Sequence, residues 1–213
     1  MLYEDSRIKL VEMLKLEGRI KSKEVEKAFL EIPRENFVPN EIKKYAYADT
    51  PLEIENGQTI SAPHMVAIMV EELDIKIGQK ILEIGAGSGY HAAIVAKLVG
   101  KKGHVYTIER FSSLTEFSKK NLEKTGITNV TVETGDGSEG LQKYAPYDRI
   151  YVTCAAPDIP KPLIEQLKDG GKLMIPIGRT ICNLILIEKQ KDKLNYKDLG
   201  GCAFVPLVGK YGH

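Results

Sequence analysis

The sequence predicts an α/β fold: a doubly wound, mostly parallel sheet with helices on both faces and a helical cap on its N-terminal side. Three observations carry this. From Lys80 to Ile177, short apolar runs alternate with stretches of helical period, the pattern of βα units joined by right-handed crossovers. The first unit turns through Gly85-Ala86-Gly87-Ser88-Gly89. Glu109, Asp136 and Thr153 to Ala156 each follow an apolar run, which places them at the carboxyl edge where open α/β sheets bind ligands.

The 213 residues are read as one domain, 1–213, with N-terminal helices and a substrate-side loop in 1–75 and the sheet core and C-terminal strands in 76–213. A chain of this size buries roughly 70 % of its unfolded surface. Hydrophobic content of 43 % and charged content of 28 % are globular values and exclude a fibrous or disordered class. Net charge is +1 with acids and bases mixed, so no basic tract marks nucleic acid as a partner. The sequence shows no signal-peptide core and no apolar run long enough for a bilayer. Cys154, Cys182 and Cys202 form no C-x-x-C pair, which suits a reducing compartment. The expectation is a cytoplasmic monomer with no membrane or nucleic-acid partner.

Asp5 to Leu16 is amphipathic, with Ile8, Val11 and Leu14 or Met13 facing inward, and Gly18 closes it. Ser22 is placed to cap a second helix whose Val25, Ala28 and Phe29 share a face until Pro33. Both precede the first strand and so cap a sheet that begins later. Asn36 to Pro63 shows little periodicity, and a loop of that length is functional or disordered. Its apolar anchors Phe37, Tyr45, Tyr47, Leu52 and Ile54 favour an ordered loop across the mouth of the following unit. It ends in Gln58-Thr59-Ile60-Ser61-Ala62-Pro63-His64, ahead of a helix from Met65 to Leu73 with Val66, Met69, Val70 and Leu73 inside. On local grounds alone, Ser61 reads as a helix cap.

Lys80 to Ile84 is a strand, and Tyr90 to Leu98 a helix with Ala93, Ile94 and Leu98 on one face. The glycine turn between them points unpaired N–H groups and a positive helix end at one spot, where a Cβ would obstruct a ligand. About 20 residues on, His104 to Ile108 ends in Glu109, where an acid can accept from a ribose diol. The dinucleotide fingerprint requires Gly or Ala at its sixth position, which here is Tyr90. No Lys-Ser/Thr follows, which excludes a P-loop. A helix from Phe111 to Lys124, closed by Gly126, leads to a strand, Asn129 to Glu133, and then to Gly135-Asp136-Gly137. Tyr147 to Thr153 is a strand opening into Cys154-Ala155-Ala156-Pro157. Pro160 to Leu167 reads as a helix, and Asp169-Gly170-Gly171 turns into a strand, Lys172 to Ile177. Leu184 to Glu188 and Ala203 to Leu207 read as a closing strand pair around a charged, hairpin-like Lys189 to Asp198. His64, His91, His104 and His213 are too scattered for a metal site.

The spacing acid-x-Gly-x-Gly-x-Gly from Glu83 to Gly89 resembles the first motif of class I S-adenosylmethionine-dependent methyltransferases. YADTPLEIENGQTISAPHMVA, LEIGAGSGYHAAIVA, GDGSEG, APYDRIYVTCAAPDIP, QLKDGGKLMIPIG and FVPL run in order from about Tyr45 to Leu207. Together they are similar to the protein-L-isoaspartate O-methyltransferase family. GxGxG and GDG are widely shared; QTISxPH and the pairing of VTCAAPDIP with QLKDGGKL are more particular. The resemblance implies a Rossmann-like fold, S-adenosylmethionine as methyl donor with S-adenosylhomocysteine as product, and no metal. It implies transfer to the free carboxylate of L-isoaspartyl residues in damaged proteins or peptides, whose ester collapses to a succinimide that can reopen to aspartate. Ser61 stands at the family's active-site serine. Thr59, Ile60, His64, Glu83, Gly85, Ala86, Gly87, Ser88, Glu109, Asp136 and Gly137 stand at positions associated with the cofactor. Glu83 replaces an Asp found in some members, one methylene shorter, and the stretch after FVPL is only Val208 to His213.

No triad is needed for such chemistry. The acceptor carboxylate is ionised at neutral pH, its ordinary pKa being about 4. Alignment and exclusion of water are the protein's tasks, and the Ser61 hydroxyl is read as a donor that orients the acceptor. Two other readings compete. One is a different acceptor, a small molecule or RNA, against which stand the near-zero charge and the lack of an Asn/Asp-Pro-Pro-aromatic run at Thr153 to Pro157. The other is a non-catalytic module that binds a nucleoside or a protein partner, against which stand the intact Ser61, Glu109 and Asp136.

Overall fold

Helix α1 (Leu2–Leu16) packs on α2 (Lys23–Glu31) through Leu10, Val11, Leu14, Val25, Ala28 and Phe29. The inward seam of α1 runs along Leu10 and Leu14 rather than Ile8, which is 41 % exposed. Ser22 caps α2 as expected, its hydroxyl oxygen accepting from the Val25 N–H at 3.3 Å. The computed structural model describes residues 2–179, 181–191 and 193–213.

The aperiodic stretch is ordered by short 3-10 turns, Arg34–Asn36 and Asn40–Tyr45, and by a small antiparallel hairpin, β1 (Leu52–Glu53) with β2 (Thr59–Ile60). Phe37 and Ile54 anchor it in the core, whereas Tyr45 is half exposed, its ring under the Lys44 ammonium. Helix α3 (Pro63–Leu73) follows with Ala62 as its N-cap and no side-chain cap bond. Ser61 therefore does not cap it.

The sheet comprises β3 (Lys80–Ile84), β4 (His104–Glu109), β5 (Val130–Thr134), β6 (Tyr147–Val152), β7 (Leu167–Gly178), β8 (Cys182–Gln190) and β9 (Lys193–Cys202), in the order β5-β4-β3-β6-β7-β8-β9. Pairings from β5 to β7 are parallel, and β7–β8 and β8–β9 are antiparallel. The chain passes from β3 to β4 on one side and later to β6 on the other, so the switch point lies at the carboxyl end of β3. Alternation along β3 sorts its side chains. Ile81 joins the apolar layer shared with α1 to α3, α4 (Tyr90–Val99) and α5 (Ser112–Lys124), while Leu82 and Ile84 join the opposite layer with Leu163 of α6 (Lys161–Glu165).

Two expected elements differ. The helix expected to Leu167 ends at Glu165, because Leu167 already pairs with Tyr147 and the Gln166 side chain reaches back to Glu139 and Leu141. The strand that closes the sheet is β9, which begins inside the stretch read as a charged hairpin and runs past it to Cys202; Asp192 of that stretch lies outside the described residues. An edge strand that is mostly solvent-exposed needs no apolar alternation, and β9 has none. Ala203 to Leu207 forms only an isolated bridge, Ala155 with Pro206, and this lays the segment beside the end of β6.

Candidate active site

The site is built from backbone first. Gly85 lies at φ +93°, and a Cβ there would strike the Thr153 hydroxyl. That hydroxyl donates to the carbonyls of Ile84 (3.0 Å) and Gly85 (2.7 Å), fixing the turn to the end of β6. Asn121 of α5 donates to the Ser88 carbonyl at 2.9 Å. The N-cap of α4 is Gly89, which has no side chain to cap with, and the Ser88 hydroxyl accepts from the Tyr90 N–H at 3.4 Å. Glu109 braces the turn from the neighbouring strand, one carboxylate oxygen accepting from the Gly87 N–H at 2.9 Å and the other from the Phe111 N–H at 3.0 Å.

A cleft of about 110 Å³ opens there. Gly85, Gly87, Glu109, Phe111, Gly137 and the Val205 to Val208 segment form its walls. A second cavity of about 30 Å³ shares Thr59, Gly85, Gly87 and Thr153 with it and adds Ile60, Ser61, Glu83, Ala86, Ser88 and His91. Ser61 lines the second cavity, and its hydroxyl has no hydrogen-bond partner among the described residues.

Glu83 is fully buried, and among the described residues neither carboxyl oxygen has a hydrogen-bond partner. The sheet register sets it between Thr107 and Tyr151. Burial pushes its carboxyl up to about 8; the nearby hydroxyls of Thr107 and Tyr151 relieve this only partly, and the Glu109 charge adds to it. His91, whose ring lies 4.4 Å from that of Tyr151, is held neutral by burial, its pKa lowered to about 3.

Of the residues expected from sequence, His64 and Asp136 line neither cavity. Both the N–H and the Nδ1 of His64 are held by Asp49, at 2.8 and 3.0 Å. Asp136 accepts from the Ser138 N–H (2.9 Å) and hydroxyl (2.7 Å) and from the Lys210 N–H (2.8 Å). Burial opposes its charge, but these bonds more than offset that and hold its pKa below the usual carboxylate range. Sequence reasoning did not single out Phe111, His91, Asp49 or Arg34 for the site. Phe111 was legible as the second residue after the ribose-side acid; the others carry no local signal.

The donor expected here bears a sulfonium and an ammonium, and the chain's residues suit it: glycines that leave the turn bare, and an orphaned buried carboxyl able to ionise against a cation. A glycine turn braced by the next strand's acid, at the switch point of such a sheet, is the arrangement of a class I S-adenosylmethionine-dependent methyltransferase. Comparison with known proteins narrows the class. Residues 5–212 match the protein-L-isoaspartate(D-aspartate) O-methyltransferase family, and the chain belongs to it. A protein-L-isoaspartate O-methyltransferase of Hyperthermus butylicus is 54 % identical over 220 aligned positions, covering 99 % of this chain and 91 % of its own. One from Pyrococcus horikoshii is 54 % identical over 214, covering 99 % and 96 %. Among solved structures, a protein-L-isoaspartate O-methyltransferase aligns with a TM-score of 0.85 at 36 % identity, over 97 % of this chain and 67 % of its own. A Plasmodium falciparum protein in complex with S-adenosyl-L-homocysteine aligns at 0.84 and 29 % identity, over 94 % and 97 %.

Proposed function

We propose that this chain transfers a methyl group from S-adenosylmethionine to the free carboxylate of L-isoaspartyl residues in damaged proteins or peptides, which starts their repair through a succinimide. The observation that carries the reading is the shared space: Ser61, whose hydroxyl has no hydrogen-bond partner among the described residues, lines the same cavity as the glycine turn, and that cavity shares walls with the cleft lined by Glu109.

The donor, when bound, supplies a methyl already activated on a sulfonium. Everything else falls to the chain. The turn from Gly85 to Ser88, with Thr59 and Ile60 from the hairpin, forms the cradle, and Glu109 is the acceptor for a ribose diol. Each of its oxygens receives one backbone N–H and retains a free lone pair. Glu83 is the counter-charge for the cationic end. Asp136 shapes the far wall through its loop, with Gly137 lining the cleft. His64, fixed by Asp49, closes the entrance of α3 beside Ser61. The Ser61 hydroxyl donates to the acceptor carboxylate and holds one oxygen in line with the methyl. The carboxylate is ionised without a base, so orientation and exclusion of water supply the rate.

We further infer that 1–213 acts as one unit, with 1–75 on the substrate side and 76–213 holding the cofactor. Both halves of the site come from one chain, which supports a monomer. Three free cysteines support a reducing, cytoplasmic setting, and the +1 charge supports a role without nucleic acid or membrane. Among the described residues no helix is long and apolar enough to cross a membrane, and no group of His, Cys, Asp or Glu could hold a metal ion. The test offers methyl-labelled S-adenosylmethionine with paired peptides that differ only in aspartyl or isoaspartyl linkage. Label on the isoaspartyl peptide alone is expected; equal label on both, or none despite cofactor binding, overturns the reading.

A further inference from the structure

Arg34 is an arginine with no exposure at all, on the first 3-10 turn after α2. Its Nε donates to the Ala46 carbonyl at 2.9 Å and its Nη2 to the Ser61 carbonyl at 2.8 Å. The guanidinium carbon lies 4.8 Å from the centre of the Tyr90 ring, and among the described residues Nη1 has no hydrogen-bond partner. Among the described residues no carboxylate pairs with it; the nearby acid Asp49 is bound to His64. Burial lowers its pKa to about 10, with Tyr90, Tyr47 and Asp49 acting the other way, so it stays cationic at neutral pH.

A desolvated charge without an acid is costly, and apolar side chains in its place often stabilise a fold. Its retention is explained by what the planar fork joins. Ala46 closes the Asn40–Tyr45 turn, Tyr90 is the first residue of α4 directly after the glycine turn, and Ser61 lines one cavity with Tyr90. Pinning the Ser61 carbonyl fixes the peptide plane from which its hydroxyl projects. A lysine, with one compact ammonium, cannot make both bonds and also stack on the ring.

We propose that Arg34 is a positioning residue for methyl transfer: by holding the Ser61 carbonyl against Ala46 and Tyr90, it sets where the Ser61 hydroxyl stands over the glycine turn. The inference rests on the reading of Ser61 as the hydroxyl that orients the acceptor.

The test measures kcat with an isoaspartyl peptide and the Kd of S-adenosylhomocysteine for Ser61→Ala, Arg34→Lys, Arg34→Gln and Ser61→Ala combined with Arg34→Lys, with kcat expressed per cofactor-binding site. Arg34→Lys is expected to lower kcat at least tenfold while changing Kd less than threefold. In the Ser61→Ala background the same substitution is expected to lower kcat less than threefold further. If Ser61→Ala leaves kcat unchanged, the reading of Ser61 fails and this inference falls with it. If Ser61→Ala is slow but Arg34→Lys is not, or if the two losses multiply, the role of Arg34 alone is overturned. Failure of both Arg34 variants to bind S-adenosylhomocysteine assigns the residue to folding and also overturns it.

Discussion

The backbone N–H of Lys210 donates to Oδ2 of Asp136 at 2.8 Å, so the segment after Leu207 closes on the acid that follows β5. Oδ1 of the same carboxylate takes the Ser138 N–H and hydroxyl, and the Tyr211 N–H donates to Ser138 Oγ. Val208 of this segment lines the cleft walled by Glu109. At Gly209 a Cβ would overlap the Asp136 carboxylate. Gly209→Ala is therefore expected to lift the segment from Asp136. A hydrogen bond to a charged group contributes about 1.5–3 kcal/mol, and part of that appears in binding. The KM for S-adenosylmethionine should rise roughly tenfold, with kcat at saturation within twofold. Unchanged KM would show that the clasp plays no part in the cleft.

Glu83 gives a pH prediction with a definite sign. Its carboxyl is raised from 4.5 to about 8 in the folded chain. Between those values the folded state holds a proton that the unfolded state has lost, so this group reduces stability as pH rises, by about 3 kcal/mol at pH 7. Glu83→Gln is expected to flatten the fall in apo-protein Tm between pH 5 and pH 8. It is also expected to weaken binding of cationic S-adenosylmethionine more than that of uncharged-sulfur S-adenosylhomocysteine. Parallel Tm profiles for the two proteins would refute the assignment.

Ser61 is separable from the fold. The α3 cap is Ala62, and the Ser61 hydroxyl holds no neighbour among the described residues. Ser61→Ala should leave Tm within a degree or two while lowering turnover of an isoaspartyl peptide roughly ten- to a hundredfold, the kinetic equivalent of about 1.5–3 kcal/mol. A Tm drop with normal turnover per folded molecule would reverse the conclusion.

What could be read from sequence was local. The Ser22 cap, the glycine turn and the acid ending β4 rest on backbone chemistry within a few residues, and each falls where its spacing put it. The unread parts depend on distance along the chain. Arg34 meets Ser61 across 27 residues, and Lys210 meets Asp136 across 74. No periodicity encodes either pairing. Strand β9 was missed for another reason: its exposed edge position leaves a polar sequence that resembles a loop.

Asn129 makes a prediction about stability alone. Its side-chain amide donates to the carbonyls of Ala96 and Gly100, both at 3.0 Å, satisfying the C-terminal end of α4 from the start of β5. Asn129→Ala removes both of these bonds while each carbonyl keeps one backbone donor, the Gly100 N–H on Ala96 and the Gly103 N–H on Gly100, so the loss is that of two ordinary hydrogen bonds, about 1–3 kcal/mol. For a chain of this size each kcal/mol lowers Tm by about 2–4 °C. Calorimetry should show that shift with kcat unaltered at 25 °C; an unshifted Tm would mean that water replaces the amide without penalty.

Glu109 is expected to matter twice over. Its two oxygens hold the Gly87 N–H and the Phe111 N–H, so the charge fixes the shape of the turn before any ligand arrives. The same carboxylate lines the cleft and keeps lone pairs for a ribose diol. Glu109→Gln retains one acceptor oxygen but loses the charge and turns a donor amide toward one of the two N–H groups. The affinity for S-adenosylhomocysteine should fall about ten- to a hundredfold, since each charge-assisted bond contributes about 1.5–3 kcal/mol. Glu109→Asp keeps the charge but shortens the reach, and it should fall between wild type and Gln if the diol is the main partner. If Asp is as weak as Gln, loss of the turn's geometry governs binding, because a carboxylate drawn back by one methylene releases Gly87 first. Titration calorimetry on the three proteins separates the two cases.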